Sequence, residues 1–329
     1  MKYLYVLVNS PTGFYVEQTY VSMLSLKHVS PAASISLLVD DKTANECKNN
    51  FFNATKALIN EYKVVNLSPD MSAIARSRHL KTTMRQHIRG DFLYVDSDTI
   101  WANPINEKEF TFDIMGVLDG NNVLQNNPAL DYIQELFKET KCNPRTDFYF
   151  NSGVLFSKES TFSHNFFEKW HQYWTESSKS GCFVDQPSLN TVISEDSNLK
   201  KYLLPGTYNA QIAFSWDYFF NAKVIHYFTY SIEHDRQFES PYLLKSKQFW
   251  QTLSKDGITP QIQAIIKNPL SAFSQGVSIS GIDEINLTKT HLYGLIKESY
   301  LNKINGNKSH FDLLEKFVVI LSNLFRKNN

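Results

Sequence analysis

The chain has 329 residues, of which 42% are hydrophobic and 20% are charged, so it can fold around one large core or two modest ones. Lys plus Arg and Asp plus Glu each total 33, and this zero formal net charge argues against a nucleic-acid partner, which normally requires a basic surplus. The three cysteines, Cys47, Cys142 and Cys182, form no CxxC pair and support neither a zinc knuckle nor a disulfide framework, which favours reduced thiols in the cytoplasm.

Short apolar runs alternate with helical patterns through residues 1–120. The first run is too short to span a bilayer and begins a series of five predicted strands, at Tyr3–Val8, Ile35–Val39, Lys63–Leu67, Phe92–Val95 and Ile114–Leu118. Helices are predicted between them at about Tyr15–Val29, Ala44–Tyr62 and Ala73–Arg89. Repeated βα units predict an α/β fold with a mostly parallel central sheet and helices on both faces. In such sheets, ligands bind beyond the carboxyl ends of the strands.

Further strands and helices are predicted along the rest of the chain. A strand is expected at Phe148–Ser157, a helix near Phe162–Trp174 and a short strand at Val224–His226. No linker stands out before about residue 255, after which the composition changes. We therefore predict a main α/β catalytic domain over residues 1–255 and a C-terminal helical extension over residues 256–329, which would shape the acceptor side or make a membrane or oligomer contact.

Two helices are predicted near the C-terminus, at Thr290–Ile304 and His310–Arg326. In the second helix, five apolar residues share one face at helical spacing: Phe311, Leu314, Val318, Leu321 and Phe325. Basic residues flank this face: Lys316, Arg326 and Lys327. A helix packed on the main domain explains the pattern. A peripheral anchor lying in a membrane surface and a contact between two copies of the chain, making a homo-oligomer, are the alternatives.

The most informative stretch is Asp91–Ile100, where an apolar strand ends in two carboxylates, Asp96 and Asp98. Residues two apart in an extended chain point to the same side, which at the carboxyl end of a strand faces the binding crevice. Two carboxylates there would repel each other unless a divalent cation lay between them. Their hard oxygen atoms favour Mg²⁺ or Mn²⁺, which also bind phosphate oxygens.

Three interpretations of this Asp-Ser-Asp triplet are open from the residues alone. It is an ordinary strand-to-loop turn, the nucleophile motif of a haloacid-dehalogenase-like phosphatase, or the metal-binding DxD motif of a glycosyltransferase with the GT-A fold. The phosphatase motif normally closes the first strand and ends in Thr or Val, whereas this strand is the fourth and the final position is Ile100. The glycosyltransferase motif therefore fits better.

Several motifs surround the DxD triplet in a fixed order. The segment Arg76-Ser77-Arg78-His79-Leu80-Lys81 precedes it, and Phe150-Asn151-Ser152-Gly153, Asp185-Gln186 and Val224-Ile225-His226-Tyr227 follow it. In this order, and over roughly residues 1–235, the chain resembles the family 8 type of GT-A glycosyltransferase and related bacterial enzymes of surface-glycan assembly. The resemblance implies a GT-A fold, a Rossmann-like fold for nucleotide-diphospho-sugar transfer.

On this resemblance, Asp96, Asp98 and His226 would form the metal site, with Asp96 also reaching the ribose. Two carboxylates and one imidazole suit Mn²⁺, with Mg²⁺ as the alternative. Arg78 and Lys81 lie three residues apart on a predicted helix and therefore share one face. In the family, basic residues at this place reach the diphosphate.

The chain departs from the family pattern after His226. The family often continues with Gly and then Lys-Pro-Trp, which contacts the phosphates, and neither element is present here. Neutralisation of the phosphates would therefore depend more on the metal, Arg78 and Lys81, with Arg76 as a third candidate. The departure also makes His234 an alternative metal ligand to His226.

The remaining motifs would surround the donor sugar. By resemblance, Asn151 and Ser152 bind the sugar near its anomeric carbon, and Gly153 lets the backbone approach the ligand closely. Asp185 would hold sugar hydroxyls, and Gln186 would lie under the reacting carbon. We predict catalytic roles for Asp185, Gln186 and Asn151, although a turn and a helix N-cap explain these motifs equally simply.

The nucleotide end is marked only by polar residues that leave the first strand: Asn9, Ser10 and Thr12. Phe14 or Tyr15 would stack on the base, and Asp40, at the end of the second strand, would accept hydrogen bonds from the base or ribose. Ser97, between the two carboxylates, and Asp147, before the Asn-Ser-Gly motif, complete the predicted donor-binding set. Ordinary loop polarity is the alternative for the residues at this end.

The resemblance implies a metal-dependent hexosyltransferase that uses a nucleoside-diphosphate sugar, with a UDP-sugar favoured and the anomeric configuration retained. The acceptor would be a saccharide or a lipid-linked glycan in bacterial polysaccharide biosynthesis. Such an enzyme would be cytoplasmic or peripheral on the inner face of the membrane. A phosphatase that uses Asp96 and Asp98, and a non-catalytic protein that binds nucleotide sugars, remain the alternatives.

Overall fold

The computed structural model describes residues 1–10, 13–195, 201–212, 217–228, 242–273, 286–304 and 306–326. The chain divides into two compact units. The first comprises Met1–His234 and Ser240–Gln275, and the second comprises Asp235–Glu239 and Gly276–Asn329. The first unit contains both β-sheets, and the second contains the last two helices.

Seven strands form the central sheet of the first unit: β1 (Lys2–Leu7), β2 (Ser34–Asp40), β3 (Glu61–Val65), β4 (Phe92–Val95), β6 (Ile114–Leu118), β7 (Phe150–Ser157) and β8 (Lys201–Leu203). Their spatial order is β3-β2-β1-β4-β7-β6-β8. The first four strands are parallel to one another and β8 is parallel to β6, whereas β7 is antiparallel to both β4 and β6. The predicted α/β class with a mostly parallel central sheet is confirmed.

A second sheet has three short strands, β5 (Thr99–Trp101), β9 (Ala210–Gln211) and β10 (Val224–His226), in the order β5-β10-β9. In the antiparallel pair of β5 and β10, His226 lies opposite Thr99. The small sheet therefore joins the segment that follows β4 to a segment more than 100 residues later in the chain.

Helices cover both faces of the central sheet: α1 (Tyr15–Val29), α2 (Asp41–Glu46), α3 (Asn50–Lys56), α4 (Ala73–His87), α5 (Leu130–Thr140), α6 (Thr161–Ser178) and α7 (Gln186–Glu195). Alternate residues of β1 point to opposite faces. Tyr5 belongs to the same buried cluster as Val16 of α1, and Leu4 belongs to a second cluster with Leu80 of α4 and Phe166 of α6. The sheet is thus buried on both sides, as its nearly continuous apolar strands predict.

The helix predicted at Ala44–Tyr62 does not form as one continuous helix. The chain forms α2 and α3 instead, and β3 begins at Glu61. The side chain of Asn49 accepts a hydrogen bond from the backbone N–H of Phe51 at 2.8 Å, so it caps the start of α3 and separates the two helices. Glu61 and Tyr62 pair with β2 and adopt a strand conformation, although helical spacing alone had assigned them to a helix.

Two further helices of the first unit, α8 (Lys247–Asp256) and α9 (Pro260–Lys267), pack beside the small sheet. Trp250, Ile262 and Ile265 are buried in one cluster with Ile225 of β10. Residues on both sides of the expected boundary at 255 therefore pack in the first unit. The division of function at residue 255 stays a prediction.

The second unit contains α10 (His291–Ile304) and α11 (Phe311–Arg326), and both predicted C-terminal helices are confirmed. The rings of Tyr300 and Phe311 lie 5.2 Å apart and join the two helices. Leu313, Phe317 and Ile320 of α11 are each more than half exposed. Among the described residues, no helix is both long enough and apolar enough to cross a membrane.

Candidate active site

Asp96 directly follows the buried strand β4 and therefore lies at the carboxyl end of this strand in the central sheet. The backbone N–H of Asp96 donates to the carbonyl of Gly153 on β7 at 2.8 Å, which continues the pairing of Val95 with Val154. The hydroxyl of Tyr94 donates to Oδ1 of Asp96. Burial, followed by the nearby carboxylate of Asp96, raises the pKa of Tyr94 well above its ordinary value, so this phenol keeps its proton and remains a donor.

Strand pairing then brings Asp98 and His226 together. The N–H of Tyr227 donates to the carbonyl of Asp98 at 3.1 Å, and β5 and β10 pair from Thr99 and His226 onward. As a result, Nε2 of His226 lies 3.2 Å from Oδ1 of Asp98. Ser97, at the tip of the turn between β4 and β5, accepts a hydrogen bond from the hydroxyl of Thr19 at 2.8 Å. The turn is therefore held against α1.

The three predicted metal ligands, Asp96, Asp98 and His226, lie in one cluster. One potential ligand atom from each side chain lies within 4.8 Å of the others. His226 is 2% exposed, whereas the two carboxylates are partly open to solvent. Two carboxylate groups and an imidazole nitrogen facing one another are a donor set that suits a divalent cation such as Mn²⁺ or Mg²⁺. The alternative ligand, His234, lies outside the described residues.

Two cations of α4 adjoin this cluster. Nζ of Lys81 lies 3.1 Å from Oδ1 of Asp96, 3.5 Å from Oδ2 of Asp185 and 3.2 Å from Oγ of Ser152. Nε of Arg78 lies 3.1 Å from Oδ1 of Asp185. Lys81 is almost fully buried, but about a third of the Arg78 side chain is exposed, so Arg78 is the cation that a ligand arriving from solvent can reach.

Asp185 precedes α7 and is 3% exposed. Burial alone would raise the pKa of its carboxyl group, but Lys81 and then Arg78 outweigh burial, and the pKa lies below its ordinary value. Oδ2 of Asp185 accepts no hydrogen bond from any residue that the structure describes. The carboxylate therefore stays ionised between Lys81 and Arg78, with its buried Oδ2 3.5 Å from Nζ of Lys81.

The Asn-Ser-Gly motif lies on β7, where its side chains are mostly occupied by the protein itself. Asn151 donates from Nδ2 to Asp119 at 2.8 Å and accepts at Oδ1 from the N–H of Gly153 at 2.9 Å. Oε1 of Gln186 accepts from the N–H of Ser152 at 3.1 Å, which ties the start of α7 to β7. In this arrangement Asn151 and Gln186 position the backbone around the cluster; their predicted contacts with the sugar stay predictions.

The buried position of Asp40 does not favour the predicted contact of its carboxylate with the base or ribose. It is fully buried, and its Oδ1 accepts from the N–H of Thr43 at 3.3 Å, where it caps α2. Its Oδ2 accepts from Nε of Arg76 at 2.6 Å. Both oxygens are thus used within the protein, and the same ion pair occupies Arg76; the contacts of the two residues with a nucleotide stay predictions.

The other nucleotide-end residues lie beside β1. The N–H of Asn9 donates to Oγ1 of Thr43 at 2.7 Å, and the carbonyl of Ser10 accepts from the N–H of Gly13 at 3.3 Å. Tyr15 is 40% exposed and can offer a ring to a base. Thr12 lies outside the described residues.

Asp147 is exposed and lines a cavity of about 580 Å³ at the start of β7. The cavity also receives amide, charged and aromatic side chains, among them Gln125, Gln134, Asn143, Arg145 and Phe148. The carbonyl of Asp147 accepts from the N–H of Leu124 at 2.9 Å, and the carbonyl of Tyr149 accepts from the N–H of Asp119 at 2.8 Å. These two hydrogen bonds connect the segment from Asp119 to Leu124 with the residues just before β7, the strand that carries Asn151.

Three buried residues of the site escaped prediction: Asp119, Asn190 and Asn209. Asn190 exchanges two hydrogen bonds with the backbone of Phe150, at 2.6 and 2.9 Å. Asp119 follows the strand Ile114–Leu118, so the strand-end rule that identified Asp96 applied to it as well. Asn209 has no such signal, because its neighbours Tyr208 and Ala210 form no motif.

Comparisons with known proteins identify a matching family model and a similar solved structure. The family model described as nucleotide-diphospho-sugar transferase matches residues 37–246, which is more than half of the chain. Among solved structures, the crystal structure of mouse xyloside xylosyltransferase 1 in its apo form is similar, with a TM-score of 0.44 and 15% sequence identity over 69% of this chain and 96% of that chain. No curated protein sequence matches the chain significantly.

Proposed function

The chain belongs to the nucleotide-diphospho-sugar transferase family, and from that premise we propose that it is a metal-dependent hexosyltransferase using a nucleoside-diphosphate sugar, with a UDP-sugar favoured. Sugar transfer from an activated nucleotide follows from the family, and the fold is GT-A-like. The observation that carries the finer proposal is the cluster of Asp96, Asp98 and His226 beside Lys81 and Arg78. The family membership leaves the dehalogenase-like phosphatase without support.

The residues of the cluster would hold Mn²⁺ or Mg²⁺. When bound, such a cation supplies positive charge against the charge that develops on the leaving diphosphate. Arg78 supplies a second positive charge on the solvent side, where about a third of its side chain is exposed. Lys81 supplies a third, and its contacts with Asp96 and Asp185 fix both carboxylates near the reacting groups.

The reaction breaks the bond between the anomeric carbon and the diphosphate oxygen and forms a bond from that carbon to the acceptor oxygen. The electron pair of the broken bond leaves with the diphosphate. We propose that the anomeric configuration is retained and that the leaving diphosphate takes the acceptor proton on the same face. We propose that Asp185 holds a hydroxyl of the donor sugar; its ionised carboxylate lies beside Arg78, whose side chain is partly exposed, and this position supports the role.

The proposed acceptor is a saccharide or a lipid-linked glycan, as in bacterial polysaccharide assembly. The cavity beside Asp147 supports this choice, because amide and charged groups can bind sugar hydroxyls while the exposed ring of Phe148 can lie against a sugar face. Asp147 would then contact the acceptor saccharide as readily as the donor. Asp147 precedes β7, the strand that carries Asn151, and this proximity along the chain supports an acceptor subsite near the cluster.

Peripheral contact with the inner face of a membrane stays part of the proposal. Leu313, Phe317 and Ile320 form an exposed apolar stripe on α11, and Lys316 lies beside it. An apolar stripe flanked by basic side chains suits the surface of an anionic bilayer. Contact between two copies of the chain through the same stripe is the competing proposal.

The proposed function is tested by incubating the full chain with Mn²⁺ and, separately, UDP- and GDP-sugars and measuring release of the nucleoside diphosphate. We expect release with at least one sugar nucleotide and none after chelation of the metal. Tight binding of UDP or GDP without turnover on any donor and acceptor would instead support the non-catalytic binding protein. No binding of Mn²⁺ or nucleotide would overturn the proposal.

A further inference from the structure

A continuous chain of buried hydrogen bonds connects Asp119 to the proposed metal ligand His226. Nδ2 of Asn151 donates to Oδ1 of Asp119 at 2.8 Å, and Nδ2 of Asn209 donates to Oδ1 of Asn151 at 2.9 Å. Oδ1 of Asn209 lies 3.1 Å from Nδ1 of His226. These four residues are each at most 8% exposed, so bulk water does not compete for the bonds.

The carboxylate of Asp119 and the backbone N–H of Gly153 together fix the direction of every bond in the chain. An ionised carboxylate only accepts hydrogen bonds, so Asn151 must turn its amide nitrogen toward Asp119 and its oxygen away. That oxygen also accepts the N–H of Gly153 at 2.9 Å, which opposes a flip of the amide. Asn209 must then donate to Asn151, and its own oxygen is left facing His226.

The last bond sets the state of the imidazole. Because Oδ1 of Asn209 can only accept, Nδ1 of His226 must carry a proton, and in the neutral ring Nε2 then carries the lone pair. Nε2 faces Oδ1 of Asp98 at 3.2 Å. Two acceptor atoms face each other there, and a cation between them makes that contact favourable.

We infer that Asp119 is a positioning residue that sets the tautomer of His226 through Asn151 and Asn209, so that Nε2 presents its lone pair to the metal. The inference rests on the proposed metal site and adds how its imidazole is prepared. It also explains why a carboxylate is buried at Asp119 without a cationic partner among the described residues.

Side-chain amides hold the chain of hydrogen bonds at both ends. Nδ2 of Asn127 donates to Oδ2 of Asp119 at 3.0 Å, and Nδ2 of Asn121 donates to the carbonyl of Asn209 at 3.0 Å. Gly120 lies between Asp119 and Asn121 with φ of 66°, where an added Cβ would lie 2.9 Å from the amide of Asn127. The turn after β6 is therefore built to place a carboxylate at this point.

The test is the tautomer of His226 in the metal-free full chain, measured from the ring ¹⁵N chemical shifts at about pH 9, where an ordinary imidazole is neutral. His226→Ala identifies the signals. We expect the proton on Nδ1 in the wild type. In Asp119→Asn and in Asn209→Leu, we expect a mixture of tautomers or the proton on Nε2, and Mn²⁺ affinity, measured by calorimetry, about 10- to 100-fold weaker.

The matched control is Asp113→Asn, the same substitution beyond the opposite end of β6, where the carboxylate accepts from Ser160. It should change neither the tautomer nor the Mn²⁺ affinity. A wild-type proton on Nε2 overturns the inference, and this result does not depend on whether a variant folds. Wild-type tautomer and affinity in both folded variants also overturn it. If the wild type carries the proton on Nδ1 but binds no Mn²⁺, the proposed metal site is contradicted, whereas the inferred control of the tautomer by the hydrogen-bond chain is supported.

Discussion

The α-carbon of Gly153 faces the imidazole of His226, and a Cβ atom built on Gly153 would overlap Cε1 of that ring. The same Cβ would lie 2.8 Å from Oδ2 of Asp96. The absent side chain thus makes room for two of the three proposed metal ligands. The sequence motif suggested that this glycine admits the sugar; the contacts show that it admits the protein's own side chains.

Gly153→Ala is therefore expected to displace His226 or Asp96 and to weaken Mn²⁺ binding by at least about tenfold, since a shift of a ligand or its support commonly costs that much. Calorimetric titration with Mn²⁺ measures the effect. Gly294→Ala, which adds the same methyl group within α10, serves as the control and should bind Mn²⁺ as the wild type does. Equal affinity in the two variants would show that the cluster tolerates the added carbon.

Asp98→Ala is expected to abolish metal-dependent turnover of the sugar nucleotide while leaving the fold intact, because Asp98 is partly exposed and lies beyond the buried end of β4. Nucleoside-diphosphate release measures turnover, and circular dichroism with thermal unfolding verifies the fold. Asp91→Ala, at the other end of the same strand, is the matched control. Full activity in Asp98→Ala would remove this residue from the proposed site.

Lys81→Met is expected to lower kcat by about 10²- to 10³-fold, the usual loss when one preorganised group that stabilises developing negative charge is removed. Lys81→Arg keeps the charge and should recover part of the rate. Lys63→Met, on the partly exposed strand β3, is the control for loss of a lysine outside the site. If Lys81→Met changed KM alone, Lys81 would contribute to binding rather than to the reaction.

The lowered pKa of Asp185 predicts a pH dependence of stability. Because the pKa is lower in the folded chain than in the unfolded one, the carboxylate contributes stability above the ordinary Asp pKa of about 3.9, and this contribution is lost as the pH falls through the folded value. In Lys81→Met, burial is less opposed, so the pKa of Asp185 should rise and the loss should begin at a higher pH.

Urea unfolding between about pH 3 and pH 7 measures this shift. The double variant Lys81→Met with Asp185→Asn is the control, since it retains no carboxyl group at 185 to titrate. Identical pH profiles for Lys81→Met and the wild type would contradict the coupling between the two side chains.

Arg85 is expected to be a major source of stability. Its fully buried guanidinium donates to Ser157, Glu159 and the carbonyls of Ile88 and Gly90, and it lies 4.0 Å from the centroid of the Phe92 ring. Burial lowers its pKa to about 10, with Glu159 opposing that effect, so the group remains charged at neutral pH.

Arg85→Met leaves several buried acceptors without a donor, and we expect it to lower the free energy of unfolding by about 2–4 kcal/mol. Urea denaturation measures the change. Arg89→Met, at an exposed position just beyond the end of α4, should cost less than about 0.5 kcal/mol. A similarly small effect at Arg85 would mean that water replaces its bonds.

The apolar stripe of α11 predicts binding to lipid. The full chain should float with vesicles that contain anionic phospholipid, and the triple variant Leu313→Ser, Phe317→Ser, Ile320→Ser should remain at the bottom of the gradient. Tyr132→Ser, at an exposed aromatic residue of α5, is the control. Loss of a dimer in the triple variant, without any vesicle binding by the wild type, would favour a contact between copies instead.

Much of the fold follows from local pattern. The bounds of β4, β6, β10 and α1 agree with the predicted ranges, because each element is a clear apolar run or a long periodic segment between polar residues. The juxtaposition of Asp98 and His226 could be predicted only through the resemblance. Their distance depends on the pairing of β5 with β10, and strand partners far apart in sequence leave no local signal.

For other residues, the tertiary structure supplies hydrogen-bond partners that the sequence alone does not reveal. Asp40 has the polarity and strand-end position of a ligand-binding residue, but Arg76, from a helix 36 residues later, occupies its carboxylate. Asn209 depends on Asn151 and His226, both far from it along the chain. A buried polar group takes its role from partners that only the fold supplies.

The ladder between β5 and β10 also bears on how the protein matures. Thr99 is synthesised long before its partner His226, so a ribosome-bound chain has both carboxylates of the cluster well before it has the imidazole. During that interval the N-terminal part of the chain can form its parallel strands, but it lacks His226, one of the three groups that would bind a cation. The complete set of three ligands therefore comes together only when β10 pairs with β5. A cation bound by all three groups would stabilise that pairing by mass action.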